Sequence, residues 1–295
     1  MKFNTIPFLK DAKNAKLIHE GFSEDEKWKI DECYLLRFYP KSNIETLTWQ
    51  ANLIEQAYES GCQVPNVYDL GVWEEIPYMI VDYVKGKNAE LMMDKLTEDE
   101  QYELGKEVGE LLTKLHAVPI AESSVCWEEL WTKRVERLSP QYKEIFQSSS
   151  RHLSVLDFIK DNLVLMANRP VAIQHYDLHP ANIIVKHKKL VGMIDWQKIT
   201  IADPYHEFYK MEYFTTPISQ AYARGIIDGY HQDGVPTLFW QLHRLYAAIH
   251  IISAEVWGHQ VALDQKDKLM RHTLRTLDEW DDFKREIPSW YNSNH

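Results

Sequence analysis

The sequence predicts an α+β chain of two lobes, a small β-rich lobe over residues 1–86 followed by a large, mostly helical lobe over residues 87–295. Three observations predict it. Before Gly86 the apolar residues fall in short runs separated by turn residues, the pattern of strands. After it they recur at helical spacing over long stretches. Within the helical part, three strand-like runs, "AIQH", "NIIV" and "LVGMID", surround a polar knot, "HYDLHPAN".

Each element has a local reason. "AKLIHEGFSEDEKWKID" reads as two strands joined by a polar turn around Gly21 and Ser23. "ECYLLRFYP" is a third strand, stopped by Pro40, which has no backbone N–H to give. Leu47, Ala51, Ile54 and Tyr58 share one helical face, and Gly61 closes that helix. "NVYDLGVW" and "PYMIVDYVKG" are two more strands. In the large lobe, Thr97 followed three residues later by Glu100 is a capping-box signature. Leu104, Val108, Leu111, Leu112 and Leu115 follow at helical spacing, with Pro119 beyond the end. Residues 127–168 predict one or two further helices. From Pro204 onward the pattern is helical, broken at Pro217, Gly234 and Pro236.

Composition excludes several classes. The 295 residues are 45% hydrophobic, enough for a sizeable core, and 26% charged, ordinary for a folded chain. A net charge of −11 argues against nucleic acid or an anionic membrane surface as the main partner and leaves a cationic small molecule open. Cys33, Cys62 and Cys126 are odd in number and lack zinc or disulfide spacing. The N-terminus has no apolar h-region. The longest apolar stretch, "PTLFWQLHRLYAAIHIISAEVW", is interrupted by His243, Arg244 and His250, which predicts a core helix and no membrane span. A reducing, cytoplasmic setting is expected.

The knot has a chemistry of its own. Asp177 and Asn182 stand five residues apart in a loop stiffened by Pro180 and held by strands at both ends. A carboxylate and an amide oxygen so placed suit a hydroxyl proton and a divalent cation. Thirteen residues after Asn182 comes Asp195, at the end of an apolar strand. Two such oxygen ligands fit Mg²⁺, which usually shares its coordination with phosphates.

The spacing H-x-D-x-x-x-x-N followed by a strand-end aspartate matches the catalytic segment of kinases. "HYDLHPANIIV", "VGMIDWQ" and "ADPYHEF" together resemble the aminoglycoside phosphotransferase and choline kinase family, small-molecule relatives of the protein kinases. The resemblance runs from the Gly21 turn to at least Phe208. It implies a protein-kinase-like bilobal fold and Mg²⁺-dependent transfer of the ATP γ-phosphoryl group to a hydroxyl of a small molecule. By the same resemblance, Asp177 accepts or orients the hydroxyl proton, with His175 and His179 bracing the loop. Asn182 and Asp195 hold Mg²⁺, and Asp203 supports the loop from behind. In the small lobe it implies phosphate contacts from Gly21 and Ser23. Arg37 stands at the position of the nucleotide-binding lysine, and backbone groups of Asp82 and Val84 bind adenine.

Four residues or groups depart from the family pattern. Tyr176 stands where glycine is usual, so the loop either avoids positive φ there or is strained. Arg37 is a planar fork where a compact ammonium is usual. Its expected glutamate partner falls on Gln50, with Glu45 and Glu55 as alternatives. Glu24, Asp25 and Glu26 would repel phosphate unless they point outward. For the acceptor, Glu212, Tyr213, Asp228, Tyr230, Trp240 and Trp257 are candidate wall residues. The family favours an aminoglycoside-like amino sugar, and antibiotic resistance with it. Choline, homoserine, a macrolide or another metabolite is the alternative, as is a degraded kinase that binds nucleotide without turnover. A hydrolase is disfavoured because there is no G-x-S-x-G turn.

Overall fold

A computed structural model describes residues 2–18, 25–120 and 126–292. The Gly21 and Ser23 turn lies outside the described residues. The small lobe is a five-stranded antiparallel sheet built from β1 (Ala15–Ile18), β2 (Lys27–Ile30) and β3 (Tyr34–Phe38), then helix α1 (Ile44–Glu59), then β4 (Val67–Trp73) and β5 (Ile76–Asp82). The strand order is β1-β2-β3-β5-β4, so β3 is central. Strand alternation divides its residues between two faces. Leu36 and Phe38 join Phe3, Ile6, Leu9, Ile30, Tyr78 and Ile80 in a small core on one face. Arg37 is thereby sent to the other face, where it is only 4% exposed.

Asn43 caps α1 by accepting from the Thr46 N–H at 2.8 Å. Leu47, Ala51 and Ile54 are buried as the periodicity predicts, but Tyr58 is 45% exposed. The buried stripe rolls instead through Leu53 and Ala57, following the curve of the sheet below. Gly61 ends the turn at φ +79°.

The large lobe begins with β6 (Lys87–Asn88), which pairs antiparallel with a strand about a hundred residues later in the chain. Gly86 precedes it, where a Cβ would meet the Val185 carbonyl at 2.6 Å. Then come α2 (Glu98–His116), α3 (Trp127–Ile145) and α4 (Ser150–Asn162). The capping box on α2 is present in both directions, Glu100 N–H to Thr97 Oγ1 and Thr97 N–H to Glu100 Oε2. The strand-like runs around the knot are β7 (Ala172–Gln174), β8 (Ile183–Lys186) and β9 (Lys189–Met193), with β10 (Thr200–Ala202) following. The two strands flanking the knot do not pair with each other. β7 pairs with β10, while β8 pairs with β6 and β9, so the knot spans two small sheets.

The remainder is α5 (Met211–Phe214), α6 (Gln220–Tyr230), α7 (Thr237–Gln260), α8 (Lys266–Glu279) and α9 (Ser289–Asn292). Helix α7 runs through the core with Leu242, Leu245, Ala248, Ile249 and Ile252 fully buried. Among the described residues no helix is long and apolar enough to cross a membrane. Helices α2 and α6 touch backbone to backbone through Gly105, Gly109, Gly225 and Gly229. A Cβ on any of the four would lie 2.1–2.3 Å from a carbonyl oxygen of the other helix.

Glu279 closes α8 in a buried position, accepting from Arg275 Nε at 3.0 Å. Burial first, then the nearby carboxylate of Glu212, push its pKa up to about 8. In the unfolded chain a glutamate titrates near 4.3. Between those values the folded chain holds a proton that the unfolded chain has lost, so this group lowers stability as pH rises. Glu279→Gln is therefore expected to raise Tm relative to wild type, by a margin that widens from about pH 5 to about pH 8. Thermal melts of both proteins across that range check it.

Candidate active site

The knot is held from beneath by one carboxylate. Glu207 accepts the backbone N–H of His175 at 2.8 Å and of Tyr176 at 2.9 Å, one on each oxygen. Tyr176 takes φ +66°, the left-handed conformation that favours the expected glycine. The loop therefore adopts the strained form, held by Glu207 below and by packing of the Tyr176 ring on His206 and Tyr209. Glu207 reads from sequence as a helix-start residue. Its role under the loop depends on a contact 31 residues distant, which no local pattern announces.

His175 is fully buried and fixes the next step of the frame. Its Nδ1 accepts the Asp177 N–H at 3.2 Å, so its Nε2 carries the proton and donates to the Ile194 carbonyl at 2.8 Å. The Ile194 N–H in turn donates to the Asn182 carbonyl at 2.9 Å. Asn182 Nδ2 donates to the Asp177 carbonyl at 2.9 Å and to His179 Nε2 at 3.2 Å. Burial pushes His179 down to about 4, against the pull of Asp177, which keeps that nitrogen a free acceptor. Asp177 and Asn182 are thus tied by one hydrogen-bonded frame that also fixes Ile194, the residue before Asp195.

Two lysines clamp Asp177. Lys210 Nζ is 2.5 Å from Oδ1 and Lys198 Nζ is 3.1 Å from Oδ2. Burial works to raise the pKa of Asp177, but Lys210, and Lys198 after it, outweigh burial and hold the carboxyl well below the usual carboxylate range. Lys210 is itself pushed down, chiefly by burial, with Asp177 opposing.

Arg37 closes the opposite side. Its Nη1 donates to Asp195 Oδ1 at 2.5 Å, while Nε and Nη2 donate to Asp25 Oδ2 at 3.0 and 2.6 Å. Lys27 Nζ lies 3.9 Å from Asp195 Oδ2. Burial raises the Asp195 pKa, and Arg37 and Lys27 bring it below the ordinary value. Among the described residues, Asp25 and Asp195 are acids on Arg37, whereas Glu45 and Glu55 of α1 are exposed. Gln50 acts through an intermediary: its Nε2 donates to the Gln197 carbonyl at 2.8 Å, and the Gln197 side chain accepts from Arg37. Asp25 does not point outward: it turns in to Arg37, because the guanidinium is buried and needs a counterion.

Asp82 ends β5. Its N–H donates to the Asn66 carbonyl, and its side chain accepts from Asn66 N–H and Tyr68 Oη. Its N–H and side chain are thus both engaged. Val84 follows, beside Gly192 of β9. Asp203 is fully buried, taking Arg169 through two nitrogens at 2.8 and 3.1 Å and Tyr246 Oη at 2.6 Å, while Gln174 donates to its carbonyl. The expected acceptor wall dissolves in part: Glu212, Tyr213 and Trp240 are buried among the C-terminal helices, and Trp257 is 48% exposed.

Residues 14–247 match the family model described as the phosphotransferase enzyme family. The chain belongs to that family. This phosphotransferase has the fold of solved aminoglycoside kinases. It aligns with a GDP complex of aminoglycoside 2'-phosphotransferase-IIIa at TM-score 0.70 and 15% identity, covering 93% of this chain and 95% of that one. A ternary complex of streptomycin, ATP and APH(2")-IIa aligns at 0.66 and 17%, covering 92% and 95%. A choline/ethanolamine kinase family protein from Mesorhizobium loti aligns at 0.68 and 16%, covering 99% and 97%. No curated protein matches the phosphotransferase in sequence.

Proposed function

We propose that this phosphotransferase moves the γ-phosphoryl group of ATP to a hydroxyl of a small molecule, in a Mg²⁺-dependent reaction. The observation that carries the reading is the frame joining Asp177 and Asn182 through His175 and Ile194, the residue before Asp195. Asn182 commits its Nδ2 to the loop, which leaves Oδ1 as a ligand, and Asp195 is a carboxylate on the adjoining turn. This oxygen pair fits Mg²⁺, which keeps waters and phosphate oxygens in its remaining positions. When bound, the ion neutralises charge on the phosphates. Arg37 would hold phosphate from the small lobe, and the Asp82 carbonyl with the backbone at Val84 would meet adenine.

Asp177 accepts a hydrogen bond from the substrate hydroxyl and orients its oxygen. As the oxygen–phosphorus bond forms, the bond from the γ-phosphorus to the bridging oxygen breaks and ADP leaves with the electron pair. Because its lysines keep Asp177 strongly ionised, it is a weak base. The proton passes to it only as the new bond removes charge from the hydroxyl oxygen. The amino-sugar acceptor rests on the neighbours' substrates alone, and the charge around Asp177 favours a different class.

The test is ADP release from Mg·ATP over a panel of hydroxyl acceptors, repeated with the divalent ion chelated. Acceptor-stimulated release that chelation abolishes is expected. If ATP raises Tm but no acceptor of any charge stimulates release, the chain is a nucleotide-binding module.

A further inference from the structure

An acceptor rich in amino groups needs carboxylates near Asp177, and Glu212, Asp228, Asp278, Glu279 and Asp282 are engaged elsewhere. Glu212 is 1% exposed and accepts from His243 Nε2 at 2.9 Å and Trp280 Nε1 at 3.1 Å. Asp228 accepts from Tyr102 at 2.8 Å and Tyr291 at 2.6 Å. In "DEWDDF", Asp278 and Asp282 hold Arg151, and Glu279 holds Arg275.

Around Asp177 the charge runs the other way. Lys210, buried 2.5 Å from one carboxylate oxygen, neutralises Asp177 by itself. Lys198, with a side chain 47% exposed, is then a surplus positive charge at the solvent side of the same carboxylate. It stands three residues after Asp195, at the end of the turn Trp196–Lys198. Arg134 of α3 lies over the Trp131 ring at 4.9 Å and is engaged with the Tyr176 side chain. Its Nε is buried with no hydrogen-bond partner among the described residues.

We infer that the acceptor carries an anionic group, a carboxylate or a phosphate, which Lys198 reads beside Asp177. The inference rests on the phosphotransfer reading above and leaves its bond changes as they stand. An ammonium in the same place would be repelled by Lys198 and would find Asp177 already neutralised.

The experiment uses the full chain with glycerate, a hexose 6-phosphate, a neutral hexose, kanamycin and choline. Binding is read as the shift in Tm with a non-hydrolysable ATP analogue and Mg²⁺, and turnover as ADP release. The anionic compounds are expected to bind and turn over best, with the glycerate and hexose 6-phosphate arms telling carboxylate from phosphate. Lys198→Gln should raise KM for the anionic acceptor by about tenfold or more, the weight of one charge-assisted hydrogen bond, with Lys198→Arg restoring most of it. Anionic binding without ADP release would leave the charge inference standing and remove the phosphotransfer reading. The inference is overturned if kanamycin, choline or the neutral hexose outranks the anions, or if no anion binds. It is overturned equally if Lys198→Gln lowers kcat alike for every acceptor, since the lysine would then serve the phosphoryl group.

Discussion

Asp177→Asn is expected to lower kcat by about 10²–10⁴-fold while leaving KM for ATP nearly unchanged. The substitution keeps the shape of the side chain and an acceptor oxygen, so what disappears, under the proposed function, is the charge that orients the hydroxyl and receives its proton. Under the proposed function ATP would be held from the other side, by Arg37 and Asp195, neither of which bonds Asp177 directly; Asp177 meets the Asp195 turn only through Lys198. Stability falls as well, because Lys210 loses the carboxylate 2.5 Å from its ammonium. Breaking a buried ion pair costs at most about 3–5 kcal/mol. Lys210 tempers that loss, since burial already lowers its pKa and it can shed its proton. Steady-state kinetics with a thermal melt of the same preparation check both parts. A variant that keeps kcat within tenfold would remove Asp177 from the reacting hydroxyl.

Gly225→Ala should unfold the large lobe more readily than its single methyl group suggests. The new Cβ would lie 2.1 Å from the Tyr102 carbonyl oxygen and 3.0 Å from the Lys106 nitrogen. Both are backbone atoms of α2 and cannot rotate away. Gly105, Gly109 and Gly229 hold the same contact along its length, so relief requires the two helices to separate. Overpacking of this kind costs about 3 kcal/mol or more, or roughly 6–12 °C in Tm. Helix α2 also packs against β7, so the movement reaches the catalytic loop and activity falls with stability. Gly258→Ala is the control. Its new Cβ meets Leu269 Cδ1 at 2.7 Å, the end of a side chain that can turn. Equal melting of the two variants would contradict the close helix contact.

The readable parts of this chain are those whose cause is local. The Thr97–Glu100 box announces α2 because both partners lie within one turn. The strand β3 is legible from Tyr34 to Phe38 by composition and the stop at Pro40. The loop residues Asp177 and Asn182 stand out because their spacing is chemical as well as structural. What was not legible joins distant residues through single contacts. Glu207 beneath His175 and Tyr176 is one such case, and Asp25 on Arg37 is another. Lys198 and Lys210 give no periodic signal at all, yet they set the charge of the site. Burial also misled at Glu212 and Tyr213, whose polar and aromatic character suggested a wall but whose partners lie inside the helical core. Tyr176 is the reverse case: its residue type argues against positive φ, and a carboxylate beneath the backbone overrides it.

The fork of Arg37 onto Asp25 and Asp195 has a bearing on what the small lobe can admit. A bare guanidinium would take any passing anion, inorganic phosphate or sulfate included. Here an anion must compete with Asp25 and Asp195, and one that won would strand Asp25 while Asp195 kept only Lys27, 3.9 Å away. Under the proposed function, a nucleotide that arrives with its own divalent cation strands fewer charges, because Asp195 changes one positive partner for another. Under that reading the resting site would favour a pair of ions arriving together over either one alone.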